Sequence, residues 1–323
     1  MENFDWLSTI KINTKMLKYL SLWPTNGQYK LDLYKLYTTI LVLIFIHTYN
    51  MSIFMGIIFS HKNLADLTRR IFMTSSEILT SVKTHHFIKN IKTLQLMTED
   101  LESVKFVPPK NTEQIKLVQP DLNIWKLVFT ILQLSCWTTV VFIISAPILQ
   151  RKHELPTPAW FPFNTNISPN YELTYFYQSL GVTVVVAVVI SLDVFVMNWM
   201  MIIGVQCEIL CDNLKNIKNE NNNFNKKLID CIRHHKVIVS LAENCNNRYE
   251  MLFLCQLPNS SLTLALTMFQ ATLVEPASSD VITALAYGAA AVIQIFMYCW
   301  FGNRVEFKVS DTRTNFYFPK LKS

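Results

Sequence analysis

The residues whose types could bind a metal ion lie in one polar stretch of the sequence. Cys231 is followed three and four residues later by His234 and His235, and Cys245 lies further along the same stretch. Thiol and imidazole groups are zinc ligands, but this spacing matches none of the usual pairs in zinc sites. The stretch has the composition of a polar helix, so we interpret these residues as a solvated helix face and predict no metal and no other cofactor.

Patterns typical of enzymes do not occur in the sequence. The six glycines are scattered rather than gathered in a phosphate-binding loop. No nucleophile elbow, zinc-protease motif or paired-carboxylate pattern is present. We interpret the adjacent His85 and His86 as part of a solvated helix face as well. The sequence therefore gives no support for an enzyme.

Asp193 is the strongest single candidate for a functional polar residue. It lies deep in a long apolar stretch, residues 175–205, between Leu192 and Val194. A carboxylate inside a membrane is a functional hypothesis by default. It lies about 27 Å from Tyr175 along a helix, toward one end of the stretch, where it could also hydrogen-bond to a neighbouring helix. We favour this structural role and leave the functional one open.

Six long apolar stretches predict that these residues belong to a membrane protein. The chain is 51% hydrophobic and only 16% charged, which is more apolar than an ordinary soluble domain. Most of the stretches are long enough to cross the hydrocarbon core, which needs about 20 residues of helix. The fold class we predict is all-α, a multi-span transmembrane helix bundle. The predicted spans are Leu36–Phe59 and residues 66–83, 127–149, 175–205, 251–274 and 281–303.

The distribution of basic residues predicts a cytoplasmic N-terminus. With that orientation, 24 of the 29 Lys and Arg lie inside, as the positive-inside rule requires. Residues 66–83 are the weakest predicted span, because they contain charged side chains. We count them as a span because, without this crossing, the basic residues that follow it would lie outside and the partition would be lost. The basic residues left outside are Lys62, Arg69, Arg70, Arg151 and Lys152.

The same orientation divides the rest of the chain. Residues 1–35 form a cytoplasmic N-terminal segment, residues 36–303 the helix bundle and residues 304–323 a short cytoplasmic tail. The connections at 84–126 and 206–250 are cytoplasmic and helix-prone, and read as extensions of the flanking helices. The net charge of +6 is spread over these segments without any nucleic-acid-binding motif. We therefore expect the partner surface to be membrane lipid and not nucleic acid.

The outer loop, residues 150–174, combines prolines with aromatic side chains. Prolines exclude a regular helix, while Trp160, Phe161 and Phe163 carry too much apolar surface to remain in water. We expect the loop to fold back over the bundle as a lid. Asn166 begins a glycosylation sequon on the predicted outer face; an unused sequon crowded by the following proline is the alternative. The seven cysteines all fall in spans or on the cytoplasmic side, so no extracellular disulfide is expected.

Two further patterns concern the packing of the helices. The valine-rich run at 182–190 lies inside a long apolar segment and predicts a helix that faces lipid. In the sixth span, Ala284 and Gly288 are four residues apart, as are Ala286 and Ala290. Small residues at this spacing allow a neighbouring helix to approach closely.

Five strings in the chain resemble the insect odorant receptor family. The outer-loop strings at 156–163 and 168–178 are similar to its second extracellular loop. Tyr-Cys-Trp-Phe-Gly-Asn at 298–303 resembles its tyrosine-cysteine-x-phenylalanine-glycine-asparagine signature. Leu-Ser-Leu-Trp-Pro at 20–24 resembles its N-terminal element, and Cys-Ile-Arg-His-His at 231–235 a motif of its second cytoplasmic loop. The cytoplasmic N-terminus is an independent match to this family.

This resemblance implies the odorant-binding subunit of a ligand-gated cation channel. Such subunits assemble with a shared co-receptor in a hetero-tetramer, in the plasma membrane of olfactory sensory neuron dendrites. The family's seventh span lines the pore. Residues 304–323 carry five basic and two acidic side chains and are too short and too polar to be that span. We therefore expect a form with six of the seven spans, truncated before the pore helix.

Two alternative functions stay open at this stage. A gustatory receptor shares the topology, although the outer-loop strings argue against it. A six-span transporter or channel unrelated to olfaction would show internal repeats or charged residues in mid-membrane. Asp193 is the one residue of that kind that we find.

The resemblance also implies where an odorant binds, namely among the outer halves of spans two, three, four and six. An aromatic cavity with a few hydroxyl groups suits a small, mostly apolar ligand. The side chains that the span directions place there are Phe72, Met73, Ser76, Phe142, Ser145, Tyr177, Gln178, Thr183, Thr283 and Tyr287.

Overall fold

A computed structural model shows an all-α chain, which confirms the predicted fold class. The structure describes residues 7–24, 33–59, 64–102, 107–109, 111–151, 153–217, 224–274 and 278–317. The helices are α1 (Leu7–Tyr19), α2 (Leu33–Leu41), a π-helical segment (Val42–Thr48), α3 (Tyr49–Phe59), α4 (Leu64–Glu102), α5 (Thr112–Leu149), α6 (Asn170–Lys215), α7 (Phe224–Leu273) and α8 (Ser279–Tyr317).

Five helical stretches in the described part of the chain are long and apolar enough to cross a membrane. The first is Leu36–Phe59, formed by α2, the π-helical segment and α3, and the others lie in α5, α6, α7 and α8. They correspond to five of the six predicted spans. The remaining one, at residues 66–83, belongs to α4 and is not among them, because it carries Arg69, Arg70 and Glu77. The crossing of α4 therefore stays a prediction.

The helices are much longer than a membrane requires. α6 has 46 residues and α7 has 50, which corresponds to a length of roughly 70 Å, whereas the hydrocarbon core is about 30 Å thick. Most of the predicted connections at 84–126 and 206–250 are therefore helical continuations of α4 to α7.

α6 lies at the centre of the bundle. It contacts α1, α4, α5, α7 and α8, and Val182, Val185 and Val188 of its valine run are buried. The prediction that this run faces lipid is wrong, although its helical state is right. Valine suits either environment, because a lipid tail is as apolar as a protein interior.

The N-terminal leucine-tryptophan-proline string anchors α1 to the bundle. Trp23 is buried, with its ring centroid 5.6 Å from that of Phe195 and 6.4 Å from that of Phe87. The Gln95 side chain donates a hydrogen bond to the carbonyl oxygen of Pro24. These contacts join the string to both α4 and α6.

Small residues allow α7 and α8 to approach closely, as their spacing predicts. Ala284 and Gly288 are both buried. A Cβ atom added at Gly288 would lie 3.0 Å from the hydroxyl oxygen of Thr267 on α7. A larger side chain at this position would push the two helices apart.

The cysteine and histidine side chains of α7 form a buried face and not the solvated face that we predicted. Cys231, His234 and Cys245 are buried and His235 is half-buried. His234 Nε2 hydrogen-bonds to the side-chain oxygen of Gln206 on α6 at 2.7 Å. The spacing of these residues therefore serves helix packing.

Candidate ligand-binding cavity

A cavity of about 110 Å³ lies between α4, α5, α6, α7 and α8, and we call it the central cavity. Its wall combines aliphatic side chains with hydroxyl, amide and charged groups. The lining residues are Ser76, Glu77, Leu79, Thr80, Lys83, Leu132, Cys136, Thr139, Val185, Val186, Val189, Gln256, Asn259, Ser260, Thr263, Tyr287, Ala290, Ala291 and Gln294.

Helical periodicity places these side chains together. On α4, Ser76, Thr80 and Lys83 are separated by four and three residues, which puts them on one face. The same spacing occurs on α7 for Gln256, Ser260 and Thr263 and on α8 for Tyr287, Ala291 and Gln294. α7 thus turns a wholly polar face toward the central cavity, whereas the faces of α4 and α8 combine polar and apolar side chains.

Two of the predicted pocket residues line the central cavity. They are Ser76 and Tyr287, from α4 and α8. Phe72 and Met73 lie about one turn further out on α4, where the Phe72 ring centroid is 5.1 Å from that of Tyr287. They belong to a buried hydrophobic group, which we call the outer cluster. Its members are Tyr49, Ile53, Phe72, Met73, Val140, Ile143, Val182 and Val185.

The other predicted pocket residues lie outside the central cavity. Tyr177 packs against the outer cluster, and its hydroxyl donates to the carbonyl oxygen of Ile44. Gln178 is buried and accepts a hydrogen bond from the backbone N–H of Thr157 in the outer loop. The remaining predicted residues that do not line the cavity are Ser145, Thr183, Thr283 and Phe142.

Phe142 shows most clearly why some predicted positions miss the cavity. Leu132, Cys136 and Thr139 line the cavity from α5, and Ile143 continues their face into the outer cluster. Phe142 points about 100° away from Ile143 around the helix axis, and 40% of its surface is exposed. It therefore lies on the outside of the bundle.

A buried ion pair forms the floor of the central cavity. Lys83 Nζ on α4 lies 2.6 Å from a carboxylate oxygen of Asp193 on α6, and Asp193 is only 1% exposed. Gln294 and Tyr298 on α8 also donate hydrogen bonds to this carboxylate. The favoured structural role of Asp193 agrees with these contacts, which join three helices. Sequence reasoning missed Lys83 as its partner.

Glu77 was also missed, although it projects from the middle of the predicted second span. It lines the central cavity and is 9% exposed. Its side-chain Oε2 is buried and has no hydrogen-bond partner among the described residues. Its position next to Ser76, on the polar face of α4, could have indicated from the sequence that Glu77 lines the same cavity.

The outer loop folds back over the bundle, as its aromatic residues predict. The backbone N–H of Trp160 donates to the Ser52 carbonyl of α3 at 2.8 Å, and Arg70 of α4 donates to the Pro158 carbonyl at 3.0 Å. The Trp160 ring packs against Phe59 with centroids 5.3 Å apart. The loop thus closes the outer ends of α3 and α4.

The aromatic residues of the predicted lid differ in exposure. Phe161 packs against both Phe163 and Tyr177, whereas 48% of the Phe163 surface is exposed. Asn166 is exposed in the same loop. The outer cluster lies beneath the loop, since Ala159 packs against it.

Fold and cavity together define a multi-span helical membrane protein with a small internal cavity. The family model described as "7tm Odorant receptor" matches residues 63–317, so the chain belongs to the insect odorant receptor family. This assignment replaces the gustatory-receptor and transporter alternatives. Members of the family that it matches are receptors and not enzymes.

Individual relatives agree with this assignment over most of the chain. Odorant receptor Or1 of Anopheles gambiae is 22% identical over 97% of this chain and 82% of its own. Odorant receptor 82a of Drosophila melanogaster is 21% identical over 82% and 73%, respectively.

Solved structures show the same fold. The insect olfactory receptor OR5 from Machilis hrabei superposes with a TM-score of 0.80 at 19% identity, covering 94% of this chain and 81% of that one. Its complex with eugenol superposes with a TM-score of 0.79 at 16% identity, covering 96% and 90%.

Proposed function

We propose that the central cavity binds a small volatile odorant, and that the chain is the odorant-binding subunit of a ligand-gated cation channel. The channel forms with an odorant receptor co-receptor in a hetero-tetramer. It lies in the plasma membrane of olfactory sensory neuron dendrites, with the N-terminus in the cytosol. The observation that carries the proposal is a mixed apolar and polar cavity among five packed helices.

The composition of the wall sets the general chemistry of the ligand. Leu79, Leu132 and Val185 provide apolar surface, while Ser76 and Thr263 provide hydroxyl groups. This combination holds a small, mainly apolar molecule and orients it through a few polar contacts. The relative with bound eugenol supports the same general class.

The cavity volume limits the size of the ligand. At about 110 Å³, it is smaller than a cavity of roughly 150 Å³ that binds benzene in another protein. A ligand of about six heavy atoms therefore fits with small side-chain movements, and a larger odorant must displace lining side chains. The receptor state in which these side chains have moved therefore binds the ligand more tightly than the state in which they have not. A ligand can shift the receptor between two states only through such a difference in affinity.

The floor of the cavity offers a route by which this displacement reaches α6. Lys83 and Gln294 line the cavity and both bind the Asp193 carboxylate. A ligand that shifts either side chain changes a contact shared by α4, α6 and α8. We propose that ligand binding is coupled to helix rearrangement through this group.

The predicted pocket is revised accordingly. Ser76 and Tyr287 are proposed as ligand contacts, while Phe72 and Met73 cover the cavity from the outer cluster. Phe142 is not proposed as a contact. The aromatic residues of the outer loop form a lid above the outer cluster.

A cavity-filling substitution tests the binding site. Ala291→Phe puts a benzyl group into the central cavity, whereas Ala289→Phe puts the same group on the exposed face of α8. Thermal unfolding of the full chain in detergent is measured with a panel of small odorants. We expect odorants to raise the unfolding temperature of the wild type and of Ala289→Phe, but not that of Ala291→Phe. Equal stabilisation of both variants would show that the ligand binds elsewhere.

Co-purification tests the proposed assembly. The chain and a tagged co-receptor are expressed together, solubilised in mild detergent and purified through the tag. We expect the chain to elute with the co-receptor at the size of a tetramer. Recovery of the chain only in the unbound fraction would contradict the hetero-tetramer and leave the ligand-binding proposal intact.

A further inference from the structure

Two side chains of the central cavity contain buried oxygens without a hydrogen-bond partner among the described residues. They are Oε2 of Glu77 and Oε1 of Gln256, and these residues are 9% and 2% exposed. A buried polar atom that forms no hydrogen bond is unfavourable, and such atoms in a native protein call for an explanation. The Gln256 oxygen is an acceptor, and Oε2 of Glu77 is an acceptor when the carboxyl group is ionised.

The orientation of the Gln256 amide follows from its neighbours. Asp193 is acceptor-only as a carboxylate, so Gln294 must turn its NH₂ group toward Asp193. The Gln294 oxygen then faces Gln256, whose NH₂ group donates to it at 2.8 Å. The same NH₂ group donates to the Ser260 hydroxyl at 2.8 Å. The Gln256 oxygen is therefore fixed as the unpaired end of the amide.

Among the described residues, no cation pairs with the Glu77 carboxyl group, and its Oε2 has no hydrogen-bond partner. Lys83 is the one basic residue in the cavity lining, and its ammonium group lies 2.6 Å from Asp193. About two turns outward on α4, Arg70 pairs with Asp66 and Arg69 with Asp280. The cations near Glu77 on its own helix are thus already paired with other carboxylates.

We infer that the central cavity selects small primary amines, with Glu77 and Gln256 as the residues that determine this specificity. The inference rests on the proposed function and adds the chemical class of the ligand. An ammonium group has three donors and a positive charge. It can therefore donate a hydrogen bond to each of the two unpaired oxygens and neutralise the negative charge of the Glu77 carboxylate. An alcohol of the same size supplies one donor, and a hydrocarbon supplies none.

A series of molecules of equal shape isolates this effect. Isopentylamine, isopentanol and isohexane share a branched carbon skeleton of about the size that the cavity holds, and they differ only in the terminal group. Affinity is obtained from the dependence of the unfolding temperature of the full chain on ligand concentration. A hydrogen bond to a charged group contributes about 1.5–3 kcal/mol, which corresponds to about tenfold or more in affinity. We therefore expect the amine to bind at least about tenfold more tightly than isohexane, and the affinity of the alcohol to lie between the two.

Glu77→Gln tests the assigned residue and keeps the shape of the side chain. We expect this variant to bind isopentylamine about tenfold more weakly or worse, with isohexane binding unchanged, which also shows that the cavity is intact. Glu113→Gln replaces an exposed carboxyl on α5 and should leave all three affinities unchanged.

The outcomes separate this inference from the proposed function. Equal affinities of the wild type for the three ligands would overturn the amine preference, and this comparison does not depend on the folding of any variant. An amine preference that survives Glu77→Gln would overturn the role of Glu77. If neither this series nor the odorant panel stabilises the chain, the proposed function fails as well.

Discussion

Lys83→Met tests the ion pair beneath the cavity, because it leaves the Asp193 carboxylate buried without its cation. Asp193 is 1% exposed and Lys83 lies 2.6 Å from it, so little water can take the place of the ammonium group. Removing one partner of such a pair costs about 3–5 kcal/mol of unfolding free energy. Gln294 and Tyr298 still donate to the carboxylate, which places the expected loss near the lower end, about 3 kcal/mol.

The loss can be measured by titrating the detergent-solubilised chain with a denaturing detergent and following its helix content. Lys89→Met, at an exposed position on the same helix, is the control and should change stability by less than about 0.5 kcal/mol. Adding Asp193→Asn to Lys83→Met removes both charges and should restore at least half of the lost stability. If Lys83→Met is as stable as the control, the pair does not stabilise the fold and the reasoning from burial is refuted.

Three further predictions concern topology and packing. An epitope tag at Met1 should be stained only after the cells are permeabilised, because the basic residues predict a cytoplasmic N-terminus; staining of intact cells would contradict this topology. Glycosidase should lower the apparent mass of the wild type but not of Asn166→Gln, and a wild-type mass that does not respond would show that the sequon is unused. Gly288→Val should destabilise the bundle by about 1–3 kcal/mol, because a Cβ there meets Thr267 at 3.0 Å. Gly302→Val, where a Cβ has no neighbour within 4 Å, is the control on the same helix, and an equal loss in both would attribute the effect to helix propensity.

The sequence predicted the helices well because a membrane permits few solutions. Backbone groups in hydrocarbon must be hydrogen-bonded within the chain, so long apolar stretches become helices. The predicted span Leu36–Phe59 is helical throughout, in a stretch that begins three residues earlier at Leu33. The valine run of α6 is helical for the same reason.

The faces of the helices were harder to predict. In a soluble protein the apolar side of a helix faces the core, but in a membrane both sides can be apolar. Phe142 was therefore placed in the pocket, although it lies on the outside of the bundle. Polar residues carry more information, since Ser76 and Glu77 both line the cavity. The spacing of polar residues along α4, α7 and α8 would have indicated the cavity face.

The partner of Asp193 depends on information that single stretches do not contain. Asp193 lies deep in α6, whereas Lys83 is the last residue of the predicted second span, residues 66–83. The two meet because α4 and α6 pack at a relative depth that brings these positions together. This depth results from the packing of the whole bundle, and in particular from contacts between helices distant in sequence.

Photoaffinity mapping tests the central claim most directly. A small alkyl amine with a diazirine group is bound to the full chain and activated by light, and the labelled residues are identified by mass spectrometry. The account predicts labels on cavity-lining residues of α4, α7 and α8, with Glu77 and Tyr287 among them, and loss of these labels in Ala291→Phe. Labels confined to exposed positions such as Phe142, and unaffected by Ala291→Phe, would show that the central cavity is not the binding site.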